Sequence, residues 1–341
     1  MRATLTDATP QPEPPLQTTR QVLDLADGEE ARVSELHSDF VYGMCVRESE
    51  SVQLGCGRLH YVFRRIAGRD LRILYSSVAP KLLIQSVLDP DWVGLLLSLN
   101  PRSDFVFNGR ETAPWDLSVS AGADGYMARG TDRHCIAVSV RRSRLIGACA
   151  ALGGIPPDEI RLRDMVLPAE SRHNWRLRHA LVAVATPIEA TPSAPGLFPL
   201  PQTTENDLIS LLAAEFLPAV RRRAEPSPFR CDALHVVRQA AAVTRTVPAP
   251  SLAEMCAAAG VGQRWLHKCF IDVLGVSPYR FVRLARLTRA REQLLACDSS
   301  PALVKTVSFS LGYRLSGRFA ADYRALFGEN PSQTLQRRAV S

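Results

Sequence analysis

The chain has 341 residues, 46% hydrophobic and 22% charged, with 41 Lys/Arg against 34 Asp/Glu and a net charge of +7. That length suits two domains plus connecting segments. No run approaches 18 unbroken apolar residues and no hydrophobic leader opens the sequence, so neither a membrane span nor a secretory signal is expected. Eight scattered cysteines (45, 56, 135, 149, 231, 256, 269 and 297) show no CxxC or His/Cys ligand spacing, which predicts reduced thiols in the cytosol and no metal.

Residues 1–20 hold Pro10, Pro12, Pro14 and Pro15 among few apolar groups, and a disordered start is expected. Residues 21–222 then read as a β-rich domain with a helical appendix. The stretches Arg58–Arg65, Asp70–Tyr75, Trp92–Leu99, Phe105–Gly109 and His134–Val140 alternate or carry strand-forming residues. With short turns such as Asn108-Gly109 they fit an antiparallel barrel or sandwich. Trp92, Phe105, Phe107, Trp115 and Tyr126 are candidate walls for an apolar or amphipathic small molecule, although core packing is the simpler account of each. The histidines form no HxH pair. His60 and His134 could meet across a barrel, but an ordinary core or surface histidine explains each more simply. With no glycine-rich phosphate loop and no nucleophile elbow, an enzyme is not expected.

Arg144–Leu152 and Pro157–Asp164 turn helical by pattern, and two longer helices are predicted over Asn174–Ala185 and Glu205–Val220. Trp175, Leu177, Leu181, Val182 and Ala185 suggest an apolar seam, as do Leu208, Leu211, Leu212, Ala214 and Phe216. Either seam could pack within the monomer or form a homodimer interface. Between them, residues 186–204 hold five prolines (187, 192, 195, 199 and 201), which predicts an exposed loop. Residues 223–229 read as a linker, and 230–341 as a separate all-α domain.

In that last segment, Ser251 followed three residues later by Glu254 is a capping box. Leu252, Met255, Cys256 and Ala259 recur at helical spacing, and Gly260 stands where the chain must turn. Leu266 and Phe270, four apart, share the buried side of a second helix. A second unit repeats the plan: Val304, Val307 and Leu311 inward, a turn at Gly312, then Phe319 and Tyr323. A helix from Ser277-Pro278 to about Ala296 should join them, with Phe281, Leu284, Ala285, Leu287, Thr288 and Leu294 inward. Its nineteen residues span roughly 28 Å, close to one DNA turn of about 34 Å. Ser300-Pro301 and Asn330-Pro331 repeat the cap-then-proline device. Residues 227–341 hold sixteen Lys/Arg and seven Asp/Glu, a balance of +9, whereas residues 1–226 hold 25 and 27. The basic excess sits on the paired helix-turn-helix units, where phosphate neutralisation is the expected use.

From about 230 to 338 the chain resembles the DNA-binding domain of AraC/XylS-type transcription regulators. The residues that carry this are Ser251 to Glu254, Ala259 to Val261, the Arg264/Leu266/Phe270 spacing, Gly275 to Pro278, Leu311 to Tyr313, and the closing stretch from Arg318 to Pro331. A fainter likeness to ethanolamine-operon-type regulators runs through the N-terminal part. The resemblance implies seven helices, two of them recognition helices, a cupin-like sensor domain that commonly dimerises, and control of transcription initiation, usually activation. Carried over by position, it assigns DNA contact to Gln263, Arg264, Trp265, His267 and Lys268 on the first recognition helix. On the second it assigns Arg314, Ser316, Gly317 and Arg318. Arg283, Arg286 and Arg289 on the joining helix would be phosphate or surface groups. The sequence departs from the family pattern at Gly262, where a Ser is common, and at Lys305 and Ser308, where an acidic residue and Ala are frequent. Gly317 is a further oddity, because it lies inside a helix.

The fold class expected is therefore α+β, with a cupin-like N-terminal domain and a C-terminal all-α domain. The function expected is sequence-specific transcription regulation in the cytoplasm, as an activator and homodimer, with double-stranded promoter DNA and RNA polymerase as partners. A small-molecule effector is possible, its binding residues unidentified; no cofactor, metal or membrane is involved. Two alternatives remain: an enzyme with an appended DNA-binding domain, such as an alkyl-transfer repair protein using a reactive Cys, and a constitutive regulator whose N-terminal domain only dimerises.

Overall fold

The computed structural model describes residues 44–100, 104–169, 174–189, 197–222, 228–246, 249–296 and 301–338. The expected disordered start at 1–20 lies outside these residues, as do 190–196 of the proline-rich loop and 223–227 of the linker.

Twelve described strands form two sheets. They are β1 (Val46–Gln53), β2 (His60–Ala67), β3 (Leu71–Ala79), β4 (Leu82–Leu88), β5 (Trp92–Ser98), β6 (Val106–Phe107), β7 (Arg110–Glu111), β8 (Leu117–Ser120), β9 (Tyr126–Gly130), β10 (Arg133–Arg141), β11 (Met165–Leu167) and β12 (Leu197–Pro199). The smaller sheet runs β1-β4-β9-β6-β7 and the larger β11-β8-β5-β10-β3-β2-β12. Alternation along each strand sorts side chains into two layers. In β10, Cys135 and Ala137 meet Phe105, Phe107, Tyr126 and Ala128 between the sheets. Ile136, Val138 and Val140 point the other way, into a core closed by helices. Both faces of the central strands β5 and β10 are thus buried, which is why β5 reads as an almost unbroken apolar run.

The covering helices are α1 (Arg142–Gly153), α2 (Asn174–Glu189) and α3 (Gln202–Arg222). Leu145 and Cys149 of α1, Leu177, Leu181 and Ala185 of α2, and Leu208, Leu212 and Phe216 of α3 all enter the core under the larger sheet. Both apolar seams are therefore spent mainly within the monomer; Trp175, 51% exposed, is the member left outside.

Three expectations change. Pro157–Asp164 is not a helix: a single 3-10 turn at Pro157–Glu159 gives way to β11. Asp164 explains the extended course, because its carboxylate accepts the backbone N–H groups of Ala121 and Gly122, each at 2.8 Å, and pins the segment beside β8. The expected loop at 186–204 is shorter: α2 runs to Glu189, Leu197–Pro199 pair in parallel with Arg65–Ala67, and α3 starts at Gln202. Pro199 is tolerated because β12 is an edge strand. Residues 228–229 of the expected linker already belong to a helix.

That helix, α4 (Pro228–Thr246), opens a run completed by α5 (Leu252–Ala259), α6 (Gln263–Leu274), α7 (Pro278–Ala296), α8 (Pro301–Ser310), α9 (Ser316–Phe327) and α10 (Pro331–Arg338). These are the seven helices the resemblance implied. Their core holds Met255, Leu266, Phe270, Phe281, Leu287, Leu294, Phe319, Tyr323 and Phe327. Val52, Leu54, Leu83 and Met127 of the N-terminal part join the same cluster, so the smaller sheet packs directly on the C-terminal helices. The fold is α+β, and no described helix is long and apolar enough to cross a membrane.

Candidate nucleic-acid interface

The first helix-turn-helix unit starts as its sequence dictates. The Ser251 hydroxyl accepts from the Glu254 N–H at 3.2 Å, and the Glu254 carboxylate accepts from the Ser251 N–H at 2.7 Å. Gly260 ends α5 at φ 65°, a left-handed conformation that costs a glycine nothing. In α6, Leu266, Cys269 and Phe270 are buried, so helical geometry places Gln263, Arg264, His267 and Lys268 outward, all exposed. Trp265 is half-buried and packs on the core, so much of its indole serves structure. Lys268 pairs with Asp272 at 2.6 Å along the helix.

The second unit turns at Gly312 (φ 77°). Arg286 braces that turn: its Nε donates to the Leu311 carbonyl at 2.8 Å and its guanidinium lies 4.1 Å from the Tyr313 ring centre. In α9, Phe319 and Tyr323 are buried, leaving Arg314, Ser316, Gly317 and Arg318 exposed at its start. Neither recognition helix has a side-chain N-cap; Gly262 and Leu315 occupy those positions. Leu315 is 69% exposed beside Arg314 and Ser316, and the sequence analysis did not single it out. The signal was there: an apolar residue where Ser, Thr, Asp or Asn is usual.

The joining helix corrects one expectation. Arg283 is an exposed surface group as expected, whereas Arg286 and Arg289 are half-buried and turned to protein partners. Arg283 forms two bonds to Asp322, at 2.7 and 3.1 Å. Arg286 holds the second turn as described. Arg289 donates to the Thr244 carbonyl at 2.5 Å and lies 3.6 Å from Glu50. Arg238, Arg245 and Arg291 likewise engage protein groups. The exposed cations that remain include Arg264, Arg280, Lys305, Arg314, Arg318 and Arg324.

Residues 255–337 match a family model described as a helix-turn-helix domain. The chain is 33% identical over 86 residues to the probable thc operon regulatory protein of Rhodococcus erythropolis, covering 25% of this chain and 26% of that one. It is 33% identical over 90 residues to the XylDLEGF operon transcriptional activator 1 of Pseudomonas putida, covering 26% and 27%. The crystal structure of a probable AraC family transcriptional regulator from Rhodopseudomonas palustris is 33% identical, with a TM-score of 0.28, covering 30% of this chain and 96% of that one. The chain belongs to the AraC/XylS family. It spans about a quarter of the length of the curated relatives it matches.

Outside the AraC/XylS-type domain, the candidate wall residues do not converge. Phe105, Phe107 and Tyr126 pack between the sheets, Phe107 and Tyr126 with ring centres 5.7 Å apart. Trp92 instead sits under the guanidinium groups of Arg72 and Arg141, and Trp115 under Arg178. A void beside Tyr126, lined also by Met44, Leu88 and Ser139, takes about one water molecule. His134 Nε2 lies 3.0 Å from the Ser77 hydroxyl, while the His60 side chain is outside the described residues. Among the described residues, no three His, Cys, Asp or Glu side chains gather as a metal would need.

Proposed function

We propose that this protein is a sequence-specific DNA-binding regulator of transcription. The observation that carries the reading is the paired arrangement of α6 and α9. Each buries one apolar side and exposes cationic and polar groups near its start, and α7 links the two helix-turn-helix units. Arg264, Arg314 and Arg318 suit guanine O6 and N7, and Gln263 suits adenine N6 and N7. His267, Lys268 and Ser316 add backbone or edge contacts, Trp265 offers its outer edge to a sugar or thymine methyl, and Gly317 leaves room for close approach. Arg280, exposed at the start of α7, would meet a phosphate.

Activation is favoured over repression because the Pseudomonas putida relative is named as an activator. The N-terminal sandwich would sense a small molecule, dimerise, or do both, in the cytoplasm and in contact with RNA polymerase. A homodimer would form through surfaces other than the spent seams of α2 and α3.

The test is competition binding of the full-length protein to labelled promoter fragments against scrambled DNA across a salt series. A preferred fragment is expected, with log affinity falling by about 0.9 per phosphate contact for each tenfold rise in salt. Equal binding to all sequences at every salt concentration would overturn the assignment.

A further inference from the structure

We propose that the N-terminal sandwich clamps the C-terminal ends of both recognition helices, making Arg129 and Gln53 positioning residues for DNA reading. The inference rests on the DNA-binding function proposed above. The last carbonyls of an α-helix have no partner within it and form the negative end of its dipole. In both recognition helices the penultimate residue meets a donor from the sandwich. At the end of α6, Arg129 of β9 donates from Nε to the Val273 carbonyl at 3.0 Å. Its guanidinium also lies against Gly275, the left-handed residue that closes that helix. At the end of α9, the Leu326 carbonyl accepts from the Gly57 N–H at 2.8 Å and from Gln53 Nε2 at 3.3 Å.

Gln53 is built for this place. It is fully buried at the end of β1, and the two hydrogens of its Nε2 are shared among the carbonyls of Gly55 at 2.9 Å, Gly57 at 2.8 Å and, more weakly, Leu326 at 3.3 Å, which fixes the loop that reaches α9. Its backbone N–H donates to Thr288 Oγ1 of α7 at 3.1 Å, so one residue touches both the joining helix and the second recognition helix. The Asn108-Gly109 turn abuts Val273 on the other side. Around these contacts, Glu50 pairs with Arg245 at 2.9 Å and with Arg289 at 3.6 Å, and Arg238 donates to the Gly125 carbonyl at 2.7 Å.

The clamp grips the ends opposite the reading residues. Gln263, Arg264, His267, Ser316 and Arg318 stay exposed while the sandwich is docked, so docking leaves them accessible to DNA. A twelve-residue helix is about 18 Å long. Pivoting it by about 10° moves its far end by about 3 Å, more than a base-edge hydrogen bond tolerates. Holding both ends against one sheet therefore fixes how two half-sites are read together.

The test uses full-length protein and three DNAs: two half-sites at native spacing, the same with the spacer lengthened by one to three base pairs, and a single half-site. Arg129→Ala is expected to lower affinity at native spacing at least tenfold and to leave the single half-site within about twofold. Its penalty for a lengthened spacer should shrink, and Arg129→Lys should restore part of it. Glu50→Lys, which reverses charge at the docking rim, should behave like Arg129→Ala and decides the matter if Arg129→Ala melts early. Equal losses on all three DNAs, or none on any, would overturn the clamp. A wild-type protein that prefers no DNA would instead sink the DNA-binding function itself.

Discussion

The Arg291 guanidinium and the Glu329 carboxylate meet at 2.5 Å with their side chains only 6% and 3% exposed. The same carboxylate oxygen accepts from the Thr334 hydroxyl at 2.6 Å, and Thr334 Oγ1 lies 2.8 Å from the Tyr323 hydroxyl. Phe327 supports the guanidinium at 4.9 Å. This network ties α7, α9 and α10 into one block. Burying two charges is costly, and removing one partner strands the other, so Arg291→Ala or Glu329→Ala should each cost about 3–5 kcal/mol. Urea unfolding checks this. A loss below about 1 kcal/mol would show that the pair is not holding the second helix-turn-helix unit.

What was legible was local. Ser251 with Glu254, Gly260, Ser277-Pro278 and Gly312 each mark a helix boundary by backbone chemistry confined to a few residues, and each boundary stands where they put it. Leu266 with Phe270 and Phe319 with Tyr323 marked the buried sides, and so by subtraction the exposed ones. Arg286 and Arg289 read incompletely because their partners are remote: Arg286 meets a carbonyl 25 positions on, and Arg289 meets Glu50 of the smaller sheet. No spacing rule reports that. Arg129 carried no signal for the same reason: its acceptor is a backbone carbonyl 144 residues away.

Glu254 gives a pH dependence. Its carboxylate accepts from both the Ser251 N–H and the Ser251 hydroxyl, which holds its carboxyl below the ordinary value of 4.5. A carboxyl depressed by folding adds stability that is complete above its unfolded value and lost as pH falls through its folded value. Ser251→Ala removes the hydroxyl and leaves the N–H, so the Glu254 titration should move part of the way up. Side-chain NMR titration of both proteins reads the shift, and coincident curves would deny the capping box a role in solution.

Gly317 separates stability from binding. A Cβ placed there meets nothing within 4 Å, so Gly317→Ala should be accommodated, and in the first turn of α9 it should stabilise the protein by less than the roughly 1 kcal/mol of a helix interior. If DNA approaches the start of α9 closely, the same methyl weakens binding. A higher melting temperature with lower specific affinity is expected. Unchanged affinity would place the backbone of α9 farther from DNA than proposed.

The thiols bear on the enzyme alternative. Burial pushes Cys45 and Cys149 up to about 11, the reverse of what an activated nucleophile needs. Cys56 is exposed. Iodoacetamide near pH 8 should therefore label exposed Cys56 first, half-buried Cys45 more slowly and buried Cys149 only after denaturation, as peptide mapping would show. A hyper-reactive thiol in the N-terminal half would revive alkyl-transfer chemistry.

Arg318 and Arg280 make opposite forecasts. Arg318 projects from the third position of α9, next to buried Phe319, and is proposed to read a base edge. Arg318→Ala should cost about 1–3 kcal/mol at the preferred site and relax selectivity at one position. Arg280 is exposed in the first turn of α7, outside both recognition helices, and is proposed to meet a phosphate. Arg280→Ala should weaken every sequence alike and lower the salt slope by about 0.9. Binding measured on the preferred site, single-base variants and random DNA distinguishes the two. A uniform loss for Arg318→Ala would move that residue to the phosphates and leave base reading in the second unit to Arg314 and Ser316.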